Sequence, residues 1–204
     1  MLATILNFIL CHGSRFRNRI YSLIISPLFA ACGSGTRICP PFRFSNLQHV
    51  SLGKDVIINR DCWISTHGRT SDNSGTKLTI GHGTAIGMGA TISSALSIVI
   101  EEKVLLARNV YISDHGHAFQ DISVFIKEQG ISQPAPVHIG RGAWLGQNVV
   151  VLPGVKIGEH CVIGANAVVR TDIPAFSVAV GIPARVVRRY NCEASKWEKI
   201  APVP

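Results

Sequence analysis

Between residues 139 and 173 the chain carries large aliphatic residues at one fixed interval. Ile139, Leu145, Val151, Ile157, Ile163 and Val169 recur every six residues, and four places after each stands Ala143, Val149, Val155, Cys161, Ala167 or Ile173. Gly140, Gly146, Gly158 and Gly164 follow four of the six leading aliphatics. Shorter runs of the same register lie upstream. Leu52, Ile58 and Ile64 are followed at the same offset by Val56 and Cys62, and Ile80, Ile86 and Ile92 carry Thr84 and Ala90 between them. After a two-residue slip, Ile100, Leu106 and Ile112 resume the pattern with Val104 and Val110. A period of six predicts a prism-like coil. Each hexapeptide forms one flat side, a large aliphatic points inward, a small residue sits at the corner, and glycine relieves the turn. Three sides make a rung, so 139–174 supplies two. Ordinary parallel β/α folds need helical crossovers of about a dozen residues, and none interrupts the repeats.

Composition agrees with strands. Ile and Val together number 43 against 13 Leu, and aromatics are only 7%. A core of β-branched residues favours extended backbone over helix. Apolar residues reach 47% and charged residues 16%, which excludes a disordered chain. At 204 residues one domain is the natural expectation. The net charge is nonetheless +8, and no acidic residue precedes Asp55. Arg15, Arg17, Arg19, Arg37, Arg43 and Lys54 make the first quarter purely cationic. Its two apolar stretches, Met1–Leu10 and Ile20–Cys32, fall short of the ~18–20 residues of a membrane span, and Pro27 breaks the second. The basic cluster follows the first apolar stretch, the reverse of a secretory signal. Residues 1–32 therefore read as a helical segment that either caps the core or lies on a membrane surface. Of the six cysteines no pair has C-x-x-C spacing, and Cys62 and Cys161 fall at inward positions, which suits buried free thiols in a reducing compartment. No recognition-helix, zinc-finger or basic–aromatic pattern points to nucleic acid.

The six-residue period stops between Ile112 and Val137. A coil accommodates an insertion by extruding it at a corner, so the 24 residues 113–136 should project as a loop. Ser113-Asp114-His115-Gly116-His117, with Asp121 close behind, makes this the chemically richest stretch of the chain. Composition alone leaves two readings open, solvated loop histidines beside turn-forming aspartates or a proton-transfer site.

Taken together, the repeats and this loop resemble the hexapeptide-repeat acyltransferases, in the sugar and polysaccharide O-acetyltransferase branch related to galactoside and maltose acetyltransferases. The resemblance implies an all-β left-handed parallel β-helix assembled as a homotrimer. It would span 33–174, with an N-terminal helical segment over 1–32, the extruded catalytic loop 113–136 and a C-terminal extension over 175–204. It implies acetyl-CoA as co-substrate and a sugar, glycan or lipid-linked saccharide as acceptor. His115 would be the general base, with His117 as second choice. A sugar hydroxyl must lose its proton as it attacks a thioester, and an imidazole titrating near neutrality can take it. Its second ring nitrogen needs an orienting partner, for which Asp114, Asp121 and a backbone carbonyl are candidates. The backbone N–H of Gln147 from a neighbouring subunit is the implied oxyanion donor. Related loops carry proline where this chain has Phe125, so acceptor specificity is not carried over.

For the donor, the resemblance places Trp144, Gly146 and Gln147 beside the thioester and Ala165 along the pantetheine arm. Arg170, Arg185 and Arg188 fall at the phosphate-bearing end, where guanidinium forks suit phosphate oxygens. No metal is expected, because His115, His117 and His138 lack the spacing of the metal-binding branch of the fold. The location expected is cytoplasmic, with peripheral contact on the inner membrane face through residues 1–32. Two rival functions remain, a drug or amino-sugar acetyltransferase on the same donor site and a non-catalytic trimeric β-helix scaffold.

Overall fold

The computed structural model describes residues 15–67 and 75–200. From Ala31 onward the chain winds as a left-handed parallel β-helix with three flat faces. The first face stacks Ala31–Cys32, Val50–Leu52, Leu78–Ile80, Ile98–Ile100, Val137–Ile139 and Lys156–Ile157. The second stacks Arg37–Ile38, Ile57–Ile58, Ala85–Ile86, Leu105–Leu106, Trp144–Leu145 and Val162–Ile163. The third stacks Phe42–Ser45, Cys62–Thr66, Thr91–Ser94, Tyr111–Ser113, Val150–Val151 and Val168–Val169. Every neighbouring pair within these stacks is parallel, so each strand bonds the strand one full rung away.

The core follows from that register. Along the first face Leu52, Ile80, Ile100, Ile139 and Ile157 sit one above another. Ile58, Ile86, Leu106, Leu145 and Ile163 do so on the second face, and Ile64, Ile92, Ile112, Val151 and Val169 on the third. All are buried, and they form one continuous cluster along the axis. Cys62 and Cys161 lie inside it, and burial pushes the Cys62 thiol up to about 11, which makes it a poor nucleophile. The corners use left-handed backbone. Asn109, Asn148 and Asn166 adopt it in successive rungs, and their side-chain amides bond in a ladder from 109 to 148 to 166. Asparagine tolerates this conformation better than most residues, which explains its place there.

Both ends of the prism are covered. A helix over 15–25 closes the N-terminal end, with Ile25 and, just beyond it, Phe29 entering the core cluster. The Ser22 hydroxyl accepts from the Ile38 N–H at 2.8 Å and fixes the helix to the first rung. At the other end Ser177–Val180 adds to the second face in parallel, and Arg185–Asn191 and Lys196–Lys199 follow as antiparallel strands. The C-terminal extension is therefore a continuation of the second face and not a detached tail.

A second departure from the period, which the sequence pattern did not mark as a loop, separates Cys62–Thr66 from Leu78–Ile80. Cys62–Thr66 ends at the corner after the third face, the corner at which 113–136 begins, three rungs being spanned by the strands Cys62–Thr66, Thr91–Ser94 and Tyr111–Ser113.

Glycine 87 shows how tightly the rungs approach. A Cβ there would overlap the backbone carbonyls of Leu106 and Ala107 in the next rung. Gly87→Ala should therefore destabilise the protein by at least about 2 kcal/mol, read as a lowered urea midpoint at unchanged oligomeric state.

Candidate functional site

The loop corner is built on Asp114. Its carboxylate has no solvent exposure and accepts from the backbone N–H groups of Ala95 (2.8 Å), Leu96 (2.9 Å) and Ser97 (2.8 Å) and from the Ser94 hydroxyl (2.8 Å). The fifth donor is His115, whose Nδ1 lies 2.7 Å from Asp114 Oδ1. Burial by itself would raise this carboxyl, but the bonds from Ala95, His115, Leu96 and Ser94 outweigh it and hold the group below the usual carboxylate range. An ionised carboxylate can only accept, so Nδ1 of His115 carries the ring proton. The basic lone pair is then on Nε2, for which no described residue supplies a bond. His115 is 9% exposed, and its backbone N–H is 3.3 Å from the Ser113 hydroxyl. The result is an oriented imidazole with one free nitrogen, the arrangement a general base requires.

The loop is pinned where it leaves the coil. Ala135 N donates to Asp114 O at 2.8 Å, Ser132 N to Gly116 O at 2.9 Å, and Gly116 N to the Ser132 hydroxyl at 2.9 Å. His117 forms the adjacent bridge with Ile131 and points outward, exposed. Asp121 is not brought to His115. Its carboxylate accepts from the backbone and hydroxyl of Ser123 (2.9 and 2.6 Å) and closes a turn of the exposed loop, which also holds its pKa low. Of the orienting partners open to His115, Asp114 is the one in contact. Phe125 is exposed at the tip, directly before the short turn Ile126–Glu128.

Sequence reasoning missed His67. This residue directly follows the strand Cys62–Thr66 at the end of the third face, and its ring meets that of His115 edge-on with centroids 4.9 Å apart. Its Nε2 is 3.0 Å from the Ser93 hydroxyl, which in turn is 3.0 Å from that of Ser65. The buried Lys77 donates to the His67 carbonyl at 2.7 Å. Burial, then the neighbouring His115 ring, lower the His67 pKa, so a neutral imidazole is favoured. A signal for it was available. Trp63-Ile64-Ser65-Thr66-His67-Gly68 and Tyr111-Ile112-Ser113-Asp114-His115-Gly116 share an aromatic-Ile-Ser-x-His-Gly pattern at the same place in two rungs.

The residues expected at the donor site occupy a different face. Trp144 is half-exposed on the outside of the second face. Its row continues through Val162 and Val178 to Arg188. Three strand spacings put Trp144 and Arg188 about 14 Å apart along one outer stripe. Arg185 lies on the same terminal strand, exposed, and Arg170 is exposed just past Val168–Val169. Gly146 and Ala165 are stacked corner neighbours. A Cβ on Gly146 would sit 2.7 Å from the Ala165 nitrogen, so glycine there allows the close approach of the two rungs. Gln147 is exposed, and its carbonyl accepts from Asn166 at 2.8 Å. In one chain the corner between third and first faces, which carries His115, lies opposite the second face, so the structure does not bring His115 together with the residues expected at the donor site. A groove of about 640 Å³ lies elsewhere, lined among others by Glu101, His138, Arg141 and Glu159, which pair as His138–Glu101 and Arg141–Glu159. Among the described residues no group of three His, Cys, Asp or Glu side chains stands together in a metal-binding arrangement.

Fold and site define a hexapeptide-repeat protein with a carboxylate-oriented histidine. Residues 136–171 match the family model of the bacterial transferase hexapeptide (six repeats), and 77–114 match that of the hexapeptide repeat of succinyl-transferase. The galactoside O-acetyltransferase of Escherichia coli is 37% identical over 82% of this chain and 68% of its own length. A protein of Mycobacterium tuberculosis named as an acetyltransferase is 45% identical over 60% of this chain and 41% of its own. One of Escherichia coli named for lipopolysaccharide biosynthesis O-acetyl transfer is 40% identical over 53% and 58%. The chain thus spans about half the length of the last two relatives. Among solved structures, a maltose O-acetyltransferase from Clostridium difficile covers 81% of the chain and 72% of its own at 27% identity and TM-score 0.58. The N-acyltransferase AntD from Bacillus cereus, solved with dTDP and coenzyme A, shares the fold at TM-score 0.68 and 17% identity, covering 85% and 90%. The chain belongs to the bacterial hexapeptide-repeat transferase family.

The buried Asp114 carboxylate gives a pH signature. Its native pKa is depressed, so its contribution is present above the unfolded value near 4 and is lost as pH falls through the native one. Asn at 114 would turn an amide NH₂ toward backbone donors. Asp114→Asn should cost on the order of 3 kcal/mol at pH 7, and the gap to wild type should close below about pH 4 in thermal melts.

Proposed function

We propose that this protein is an acetyl-CoA-dependent O-acetyltransferase acting on a hydroxyl of a sugar, glycan or lipid-linked saccharide, with His115 as general base. The observation that carries this reading is the Asp114–His115 pair, which leaves Nε2 as the one basic nitrogen of a nearly buried ring. The acceptor hydroxyl gives its proton to Nε2 as its oxygen attacks the thioester carbonyl. The tetrahedral adduct then collapses, the C–S bond breaks, and the departing thiolate recovers the proton from the imidazolium. Charge developing on the carbonyl oxygen needs a backbone donor, for which Gln147 N–H of a neighbouring copy is the candidate. Asp114 stabilises the cationic ring without taking its proton. His67, packed against the ring and tied to Ser93, is a positioning residue.

A homotrimer completes the site. Outward residues of the first face are Ala31, Ser51, Thr79, Val99, His138 and Lys156, four of the six polar. Beyond Arg37 the second face instead shows Ile57, Ala85, Leu105, Trp144 and Val162, and beyond Arg43 the third shows Trp63, Thr91, Tyr111, Val150 and Val168. Two different apolar faces on one chain suit a heterologous contact between copies, and three copies is the number that the resemblance to the family implies. A ring of three would set the His115 corner of one copy beside the Trp144–Arg188 row of the next. Arg170, Arg185 and Arg188 then receive the phosphates of acetyl-CoA, with Trp144, Gly146, Gln147 and Ala165 along its arm. The unpaired thiols, Cys62 and Cys161 among them, are consistent with a cytoplasmic location.

Turnover should be followed as CoA release over a panel of glycan, free-sugar and amino-sugar acceptors. His115→Ala is expected to lower kcat/KM by about 10²–10⁴-fold, with His117→Ala within tenfold of wild type. Survival of His115→Ala within tenfold would move the base to another group, and a preference for amino-sugars would favour the rival acceptor class. Arg185→Ala/Arg188→Ala should raise KM for the donor at least tenfold with kcat nearly unchanged. At donor concentrations below the wild-type KM, where that double variant is slow, mixing it with His115→Ala under conditions of subunit exchange should raise activity at least about twofold above either parent. A site contained within one chain would give no recovery.

A further inference from the structure

The helix over 15–25 has two faces of opposite fate. Ser22 and Ile25 are buried against the first rung, the half-buried Tyr21 packs on the same core, and Asn18 bonds Cys39. At about 100° per residue these four positions define one side of the helix. Phe16, Ile20, Leu23 and Ile24 centre on the opposite side, pointing away from the end of the prism, and are 69%, 43%, 75% and 71% exposed. Arg15 and Arg19 border that apolar stripe on one side and Arg17 on the other, all exposed. Leu28 extends the stripe past the helix, half-exposed. An apolar stripe flanked by arginines, in a region with no acidic residue before Asp55, is complementary to an anionic lipid surface. No helix among the described residues is long and apolar enough to cross a membrane. A one-sided apolar stripe flanked by cations is suited to lying in the interface.

Symmetry strengthens this contact. If second and third faces pack along their length around a threefold axis, the coil axes run nearly parallel to it and the three N-terminal helices share one plane. We propose that the trimer stands end-on upon an anionic bilayer, with the Phe16–Ile24 stripes of its three subunits in the headgroup region. His115 is then held at a fixed height. It lies at the end of the fourth rung, three spacings of about 4.8 Å above the first, and the helix adds about 10 Å. With the stripe sunk about 5–10 Å into the interface, His115 stands about 15–20 Å above the lipid surface. The acceptor hydroxyl therefore belongs to a lipid-linked saccharide, on a sugar several units out from the lipid and not on the one attached to it. This choice of substrate rests on the acetyl-transfer reading given above, whereas the docking does not.

The test uses the full chain and sedimentation with vesicles of phosphatidylcholine alone or with about 30% phosphatidylglycerol. Wild type should partition at least tenfold more onto the anionic vesicles, and less at 0.5 M salt. His115→Ala should bind like wild type, so docking is read separately from turnover. Leu23→Asn/Ile24→Asn and Arg15→Gln/Arg17→Gln/Arg19→Gln alter only exposed side chains. Each should lose at least tenfold of the vesicle binding while remaining trimeric and turning over a water-soluble acceptor as wild type does. Partitioning of the stripe variant within threefold of wild type would overturn the proposal. So would a stripe variant that changes subunit number, which would assign the stripe to contact between copies. If docking holds, acetylation of a short saccharide anchored in the vesicle should rise as neutral sugars are inserted between anchor and acceptor. Equal rates at every length would discard the height argument and leave the docking intact.

Discussion

Stacking of one inward aliphatic per side, rung over rung, together with the parallel hydrogen bonds that hold those rungs at strand spacing, is the interaction on which the rest of this protein depends. It leaves the coil little freedom. The interior accepts one large side chain per hexapeptide, and Gly87 and Gly146 show that a single added methyl meets the backbone of the next rung. Extra chain can leave only at a corner. The strands Cys62–Thr66 and Tyr111–Ser113 both end at the same one, after the third face, and that shared corner brings His67 and His115 into contact across three rungs.

The chemistry at that corner is organised by backbone as much as by side chains. Ala95, Leu96 and Ser97 present three consecutive N–H groups to a carboxylate that has no access to water. Their donation keeps Asp114 ionised despite burial, and an ionised Asp114 dictates which nitrogen of His115 holds the proton. The backbone of a neighbouring segment thus sets which ring nitrogen of His115 carries the proton. Residues 113–136 would not achieve this by themselves, since the N–H groups that hold Asp114 come from 95–97, and their other aspartate, Asp121, closes a turn.

The three faces divide the remaining work by polarity. The first is the most polar, and beyond Arg37 and Arg43 the second and third carry the aromatic and aliphatic rows. The second face also continues into the terminal strands with Arg185 and Arg188, so the cationic C-terminus is an extension of the surface that holds Trp144. Of the N-terminal cations, Arg15, Arg17 and Arg19 border an apolar stripe on the helix at the base of the prism, and Arg37 and Arg43 lie on its first rung. The charge of +8 on a chain with so few charged residues is therefore concentrated at the two ends, away from the coil interior.

The coil was legible in the sequence because its constraint is local and periodic. Ile139 to Val169 at intervals of six name the inward positions directly, and the break after Ile112 locates the loop. Trp144 could be placed outside by phase alone. The choice between Asp114 and Asp121 could not be made that way, because it depends on the N–H groups of 95–97, nearly twenty residues distant in the chain and adjacent only after one full turn. For the same reason His67 escaped notice: its contact with His115 arises from two rungs of winding, although the repeated aromatic-Ile-Ser-x-His-Gly pattern hinted at equivalent positions. The sequence by itself determined what fills the prism and where the period fails. Only the tertiary structure decided which residues meet at the corner and that His115 and the Trp144–Arg188 row lie on opposite sides of one chain, since both follow from how many residues complete a turn and not from any stretch of neighbours.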